Sequence, residues 1–516
     1  MPATLEQPKT IQPPSPETPS ARRWWLLAAL SLVVILIGGA VFFNRDWPFT
    51  PKNVVKELEQ ATSAKVTFLS FRRNFLPHPG CVLESVTLTR GNPGEQEVMK
   101  IRELHIRGKW TGLIHKHIAV IRAQGVEATF PPIGTGPGWT PTESDVIVDK
   151  LIADGAELQI LRHNPKEKPI LFSIRKFTAH HLVSQEPIKF EVNLVNPQPP
   201  GDIEASGTFG PWNKKVVSET PVKGNYTFHN ADLSSFGGIA GILASDGVFD
   251  GNLDSIDIKG RTSTPDFSTT DTPHKLDLSS EFHAEVDATN GDVTLDRVQA
   301  KLVKTVILTQ GSVASHPNRD GKLAALNFAV RDGRIQDLLL MFVSDKQSPL
   351  NGTVSLRAHT LVPPGKAAFL KRVQMEGDFG IESARFTSDE TQTSVNKLST
   401  AGQGQGKDTD NPDRVLTDLE GHVNVQDGIA TFTGLRFRVP GARAKMNGTF
   451  DLITQKVDLR GMLYMDAKLP EATSGIKSFL LKAIDPFLKK NRRGGARIPV
   501  SITGTYQKPS YHADPI

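Results

Sequence analysis

Met446-Asn447-Gly448-Thr449-Phe450-Asp451-Leu452 decides how the chain is read. Met446, Gly448, Phe450 and Leu452 fall on one side, and Asn447, Thr449 and Asp451 fall on the other. A period of two is the mark of a β-strand with one apolar and one wet face. Leu350-Asn351-Gly352-Thr353-Val354-Ser355-Leu356 repeats the pattern. Its core, apolar-polar-Gly-x-apolar, recurs at Val222–Tyr226, Met375–Phe379, Leu419–Val423 and Ile502–Tyr506. In every copy the glycine shares the apolar side. Glycine is a weak strand former, so its recurrence there points to a sheet that bends sharply or to a second backbone that approaches closely. A repeated strand unit implies a quasi-linear array in which each strand pairs with its neighbours.

Turn chemistry agrees. Asn290-Gly291, Asp320-Gly321, Asp332-Gly333 and Asp427-Gly428 read as hairpin turns between alternating runs. The expectation is a mostly β chain, an elongated, curved antiparallel sheet of roughly 25–30 strands with few short helices. Pro51 to Thr62 is one helical stretch, with Val54, Val55, Leu58 and Ala61 on one stripe. A second lies near 474–490, where Ile476, Phe479, Leu480, Ile484 and Phe487 share a stripe and lysines lie largely off it. Either it caps the open end of the sheet or its basic amphipathic face touches a membrane. Pro131–Thr142 and Gly402–Pro412 read as linkers.

Upstream of the strands, residues 1–21 are rich in Pro, Thr, Ser and Gln and read as a disordered cytoplasmic tail. Arg22-Arg23 precede an uncharged run of 20 residues, Trp24 to Phe43, within an anchor at 22–45. At ~1.5 Å per residue, that run matches a ~30 Å hydrocarbon core. Trp24, Trp25, Phe42 and Phe43 bracket it, and Leu36 sits in its apolar body. The run ends in Phe42-Phe43-Asn44, a poor cleavage context for a signal peptide, so an uncleaved span is expected. The arginines before it place the N-terminus in the cytoplasm. The expectation is a single-pass protein of the inner (cytoplasmic) membrane with the bulk of the chain periplasmic.

Composition narrows the function. In 516 residues, Lys plus Arg is 60 and Asp plus Glu is 55, leaving +5 without broad clustering, and aromatics are 7 %. Neither fits a nucleic-acid partner. The one cysteine, Cys81, makes no intrachain disulfide and no thiolate cluster. No nucleophile elbow, P-loop, dinucleotide fingerprint or zinc-protease helix occurs. His115 and His117 would share a strand face and could ligate a metal, but no third ligand is marked. No catalysis and no cofactor is expected.

The order of features resembles the AsmA-like family. At the N-terminus the resemblance rests on Leu58-Glu59-Gln60-Ala61-Thr62 leading into Val66-Thr67-Phe68, then Leu83-Glu84-Ser85-Val86-Thr87-Leu88. The family's usual Gly after that Thr is Ser63 here. At the C-terminus it rests on Gly421–Phe432, Gly448–Leu452, Val457-Asp458-Leu459, Ile498–Thr505 and Lys508-Pro509-Ser510-Tyr511. The resemblance covers both ends, about a third of the chain, and divides it into an N-terminal β region (51–200), a central β-repeat region (201–400) and a C-terminal β region (413–516). It implies a bridge-like lipid-transfer or envelope-maintenance protein whose apolar β-groove moves phospholipid between inner and outer membranes, with envelope proteins at the distal membrane as further partners. The groove face expected from the repeats is Leu350, Val354 and Leu356, then Leu419, Val423 and Val425, then Met446, Phe450, Leu452 and Ile502. A closed sandwich with a dry core fits the same alternation. A scaffold that assists assembly of outer-membrane proteins through exposed strand edges is the alternative function.

Overall fold

The computed structural model describes residues 47–513, apart from 91–95, 116, 131–145, 162–168, 184, 214, 270–271, 317–318, 320, 366, 404–416, 467–496 and 506–507. The expected tail, the span Trp24–Phe43 and the stripe Ile476–Phe487 lie outside the described residues. Among the described residues, no helix is long and apolar enough to cross a membrane. The chain forms two compact units, Met1–Glu57 and Leu58–Ile516. In the first, the Trp47 and Phe49 rings meet edge-on at 6.0 Å, and Asn53 Nδ2 donates to Trp47 O at 3.3 Å.

The helix expected at Pro51–Thr62 is present, and the unit boundary falls inside it. Ser63 follows at φ 50°, the left-handed position that ends a helix and that glycine usually fills. Glu59 then accepts the Val66 N–H at 3.0 Å, tying the helix to the first strand.

The second unit is one sheet of 25 strands. Its first part is β1 (Lys65–Thr67), β2 (Ser70–Asn74), β3 (Gly80–Arg90), β4 (Gln96–Gly108), β5 (His117–Phe130), β6 (Ile147–Ile160), β7 (Ile170–Leu182), β8 (Ile188–Pro197) and β9 (Pro200–Phe209). The middle is β10 (Pro221–Asp232), β11 (Ile239–Ala240), β12 (Ile242–Asn252), β13 (Ser255–Thr269), β14 (Leu276–Asp287), β15 (Asp292–Leu302), β16 (Thr305–Ser315) and β17 (Lys322–Arg334). The last part is β18 (Leu350–Val362), β19 (Gln374–Phe386), β20 (Thr417–Gln426), β21 (Ile429–Val439), β22 (Ala442–Asp451), β23 (Lys456–Met465), β24 (Arg497–Thr505) and β25 (Lys508–Ala513). β1 and β2 both pair with β3, and β11 is a short extra partner of β13. From β3 onward the other strands follow in chain order. Among the described residues no pairing joins β25 back to the first strands, so the sheet is open. At ~4.8 Å per step the ladder is on the order of 100 Å along its curve.

Two expectations need correction. The sheet is not wholly antiparallel: β5 and β6 run parallel, with Ile121 beside Leu151 and Val126 beside Ala156. Parallel neighbours need a crossover of about a dozen residues or more. The Gly/Pro-rich stretch after Phe130, expected only as a linker, is long enough to supply it. Asp332-Gly333 is not a hairpin turn. It sits inside β17, where the register slips between Val330 and Gly333 and Asp332 takes φ 52°. The same dipeptide chemistry that turns a hairpin builds a bulge there. Asn290-Gly291 and Asp427-Gly428 do lie between paired strands, the latter pair at φ 52° and 80°.

The register carries one apolar face across the whole ladder. Leu83 stands beside Leu104, which stands beside Ala123. Further along, Phe190 faces Gly207, Gly207 faces Gly224, and Gly224 faces Phe249. Ile258, Ala284 and Leu295 continue the line. Apart from strand ends, no paired position on this face from β8 to β25 is charged among the described residues. The opposite face carries ion pairs such as Lys223–Asp250 at 2.7 Å and Arg261–Asp246 at 2.9 Å.

The recurrent glycines explain the bend. A Cβ on Gly207 would lie 2.0 Å from Lys223 O, and one on Gly224 would lie 2.2 Å from Ser206 O and 2.7 Å from the Phe249 ring. On the apolar face the backbones of adjacent strands pinch together at these points, and a neighbouring ring lies over the bare backbone.

Candidate functional site

Toward the C-terminal end the apolar face encloses a cavity of about 620 Å³. Its floor is the sheet from β18 to β25. Leu350, Val354 and Leu356 come from β18, and Leu419 and Val423 from β20. Met446 and Phe450 come from β22, Leu452 from just past its end, and Ile502 from β24. Nine of the ten residues expected on a groove face therefore share one cavity. Val425 does not line it. It is buried one step further along β20, packed with Val423 and Ala430.

The strand pairing explains why sequence-distant residues converge. Val354 pairs with Ile381, Ile381 with Leu419, and Met446 with Leu435. Phe379 stands opposite Gly421, and its ring meets that of Phe432 edge-on at 6.0 Å across β20. Gly421 puts no side chain between them.

Two helices, neither expected from the sequence, roof this end of the face. The short helix Ile335–Leu339 follows β17 and supplies Ile335, Leu338 and Leu339. Asp337 anchors it: its carboxylate is buried and accepts Thr305 Oγ1 at 2.9 Å and Lys304 N at 3.1 Å. The helix Asp389–Gly402 crosses over β19, β21 and β22, with Val395 and Leu398 turned toward the sheet. It is clasped at both ends. Ser399 is buried and donates to Pro440 O at 2.9 Å, while Thr391 bonds the Tyr511 hydroxyl on β25. Burial pushes the Tyr511 phenol up from its ordinary value, so it stays neutral. Gln392 Oε1 accepts Phe386 N at 3.0 Å. The few short helices expected from the sequence thus include two, at this end, that cover the apolar face.

The polar groups at the cavity are few: Thr391, Ser394 and Lys397 from the roof helix, and Ser501, Tyr511 and His512 from the last two strands. Such a lining holds apolar matter and cannot solvate a buried charge.

At the N-terminal end the face is also buried, with Leu83 at 0 % and Leu104 at 4 % exposure. Along β8 to β16 the larger side chains Phe190, Phe249, Ile258 and Phe282 are half-buried, while Val222, Leu276, Ala284 and Leu302 are buried. Among the described residues no second sheet packs on it, because each strand contacts chiefly its ladder neighbours.

The remaining candidates are accounted for by simple contacts. His117 Nε2 lies 2.5 Å from Asp149 Oδ1, and Lys109 Nζ lies 2.9 Å from the other carboxylate oxygen. The bond to His117, with that to Lys109, holds Asp149 below the usual carboxylate range. The His115 side chain lies outside the described residues. Among the described residues no group of three or more His, Cys, Asp or Glu side chains is placed to hold a metal. Cys81, on β3, is buried, and desolvation pushes its thiol up to about 12.

No protein-family model, curated protein or solved structure matches the chain.

Proposed function

We propose that this chain is a membrane-anchored extracytoplasmic protein that holds lipid acyl chains against the apolar face of its sheet and thereby supports phospholipid transfer or maintenance of the outer envelope. The observation that carries the reading is the unbroken apolar face, part cavity and part open strip, with charge kept to the opposite face. An open sheet ordinarily buries such a face under a second layer. Soluble proteins leave no more than a few hundred Å² of contiguous apolar surface exposed, so a partly exposed apolar strip that runs along β8 to β16 favours an apolar occupant. Acyl chains fill it without chemistry, while headgroups stay at the rim in water. The uncharged run Trp24–Phe43 and the resemblance of both chain ends to the AsmA-like family favour the same reading.

Native mass spectrometry of the full-length protein extracted in mild detergent tests it. Phospholipid should leave with the protein at elevated collision energy. A delipidated protein that then takes up no fluorescent phospholipid would contradict the reading. The alternative, assembly of outer-membrane proteins, draws on the open edge at β25, whose six residues pair on one side only. Crosslinks from β25 to client strands, without bound lipid, would favour it.

A further inference from the structure

At the N-terminal end of the sheet, two adjacent connections carry exposed apolar side chains. Phe75 and Leu76 lie in the turn between β2 and β3, and Trp110 opens the turn Trp110–His115 after β4. Leu76 is 82 % exposed, Trp110 41 % and Phe75 39 %. The turns are fastened together: Trp110 Nε1 donates to Pro77 O at 3.2 Å, and Gly108 N donates to Pro79 O at 2.8 Å. Behind them stand Arg73 and Arg107 at the strand ends, linked through the rung Asn74–Gly80–Arg107. Both arginines are exposed, and neither forms an ion pair with a described residue. Lys109 adds a cation, although Asp149 already engages it.

We propose that this tip docks on an anionic bilayer, with Leu76, Phe75 and Trp110 entering the headgroup layer. Three features favour lipid over a protein partner. The apolar groups stand on turns beyond the strand ends rather than in a groove. Trp110 is amphipathic, a ring with its N–H already satisfied, which suits the membrane interface. The unpaired guanidiniums complement an anionic surface, as in other interfacial anchors. The inference stands apart from the cavity, since an empty cavity would leave this surface unchanged.

Full-length protein carrying Leu76→Cys is labelled with an environment-sensitive dye and mixed with phosphatidylcholine vesicles containing phosphatidylglycerol. Cys81 does not compete, because it is buried and its thiol is pushed up to about 12. The dye should shift to the blue and be quenched by lipid spin-labelled near the headgroup. The same dye at Val248→Cys, a 55 % exposed position on the charged face of β12, should stay aqueous. Arg73→Glu with Arg107→Glu should reduce the Leu76 shift by about two-fold or more. A Leu76 signal as aqueous as that of Val248 overturns the proposal. So does a blue shift that spin-labelled lipid does not quench, which would mean a protein surface covers the tip. A shift undiminished by the double charge reversal overturns it as well.

Discussion

Gly448 shows how much of this fold rests on single residues without side chains. It sits on the apolar face of β22 at φ 153°, and a Cβ there would lie 2.0 Å from Asp458 O and 2.7 Å from Leu459 Cα. Gly448→Val should therefore cost about 3 kcal/mol or more in chemical denaturation. Gly380 is the control: nothing lies within 4 Å of its would-be Cβ, so Gly380→Ala should be neutral or stabilise by about 0.4–1 kcal/mol. His422 makes a second test. Its hydrogen bond to Asp378, with Glu376 nearby, raises its pKa above the ordinary value of 6.5. A raised pKa stabilises the fold where the imidazole is protonated, and that contribution is lost as pH climbs through the folded value. His422→Gln should lower the melting temperature at a pH of about 5.5 and leave it unchanged at about 9. The glycine positions were legible in the sequence because they kept one phase in every repeat. Their close contacts were not, since the partner strand is known only from the register. The contact that Tyr511 makes left no signal: its place against Thr391 follows from a helix more than a hundred residues earlier.

At the scale of elements, the roof helix Asp389–Gly402 holds the cavity's state. Among its described side chains Val395 and Leu398 are packed against the apolar cluster, and the clasps are Ser399 to Pro440 O and Tyr511 to Thr391. Leu398→Asp would place a charge against apolar side chains and should undock the helix. The expected outcome is a loss of about 2–5 kcal/mol in stability and faster uptake of a fluorescent fatty acid. Uptake unchanged in a variant that still folds would mean that the helix does not gate the cavity. The strands were readable because alternation is a local signal. The roof helix was not, because its sequence is polar apart from those contacts and shows no apolar stripe. A faint signal did exist: Ser388, whose Oγ accepts Thr391 N at 3.4 Å, stands before Asp389-Glu390 in the first turn. The parallel step from β5 to β6 was hidden for another reason. Alternation fixes which face a residue joins, not the direction of the neighbouring strand.

For the whole second unit, the question is what the partly exposed apolar face along β8 to β16 is for. Hydrogen bonds between successive strands hold the sheet together, and the charged face keeps one side in water. The apolar face is buried at its N-terminal end, where Leu83 and Leu104 are almost inaccessible, and beneath two helices toward its C-terminal end. Over β8 to β16 the remainder stays half-buried. That residual exposure is costly unless something apolar occupies it. Photo-crosslinking in the intact cell envelope addresses this most directly. A benzoylphenylalanine in place of Phe282, on the apolar face of β14, or of Phe432, in the cavity, is compared with one in place of His359 on the charged face of β18. Phospholipid adducts should form at Phe282 and Phe432 and be absent at His359. Equal labelling at all three positions, or none on the apolar face, would contradict a lipid-holding sheet.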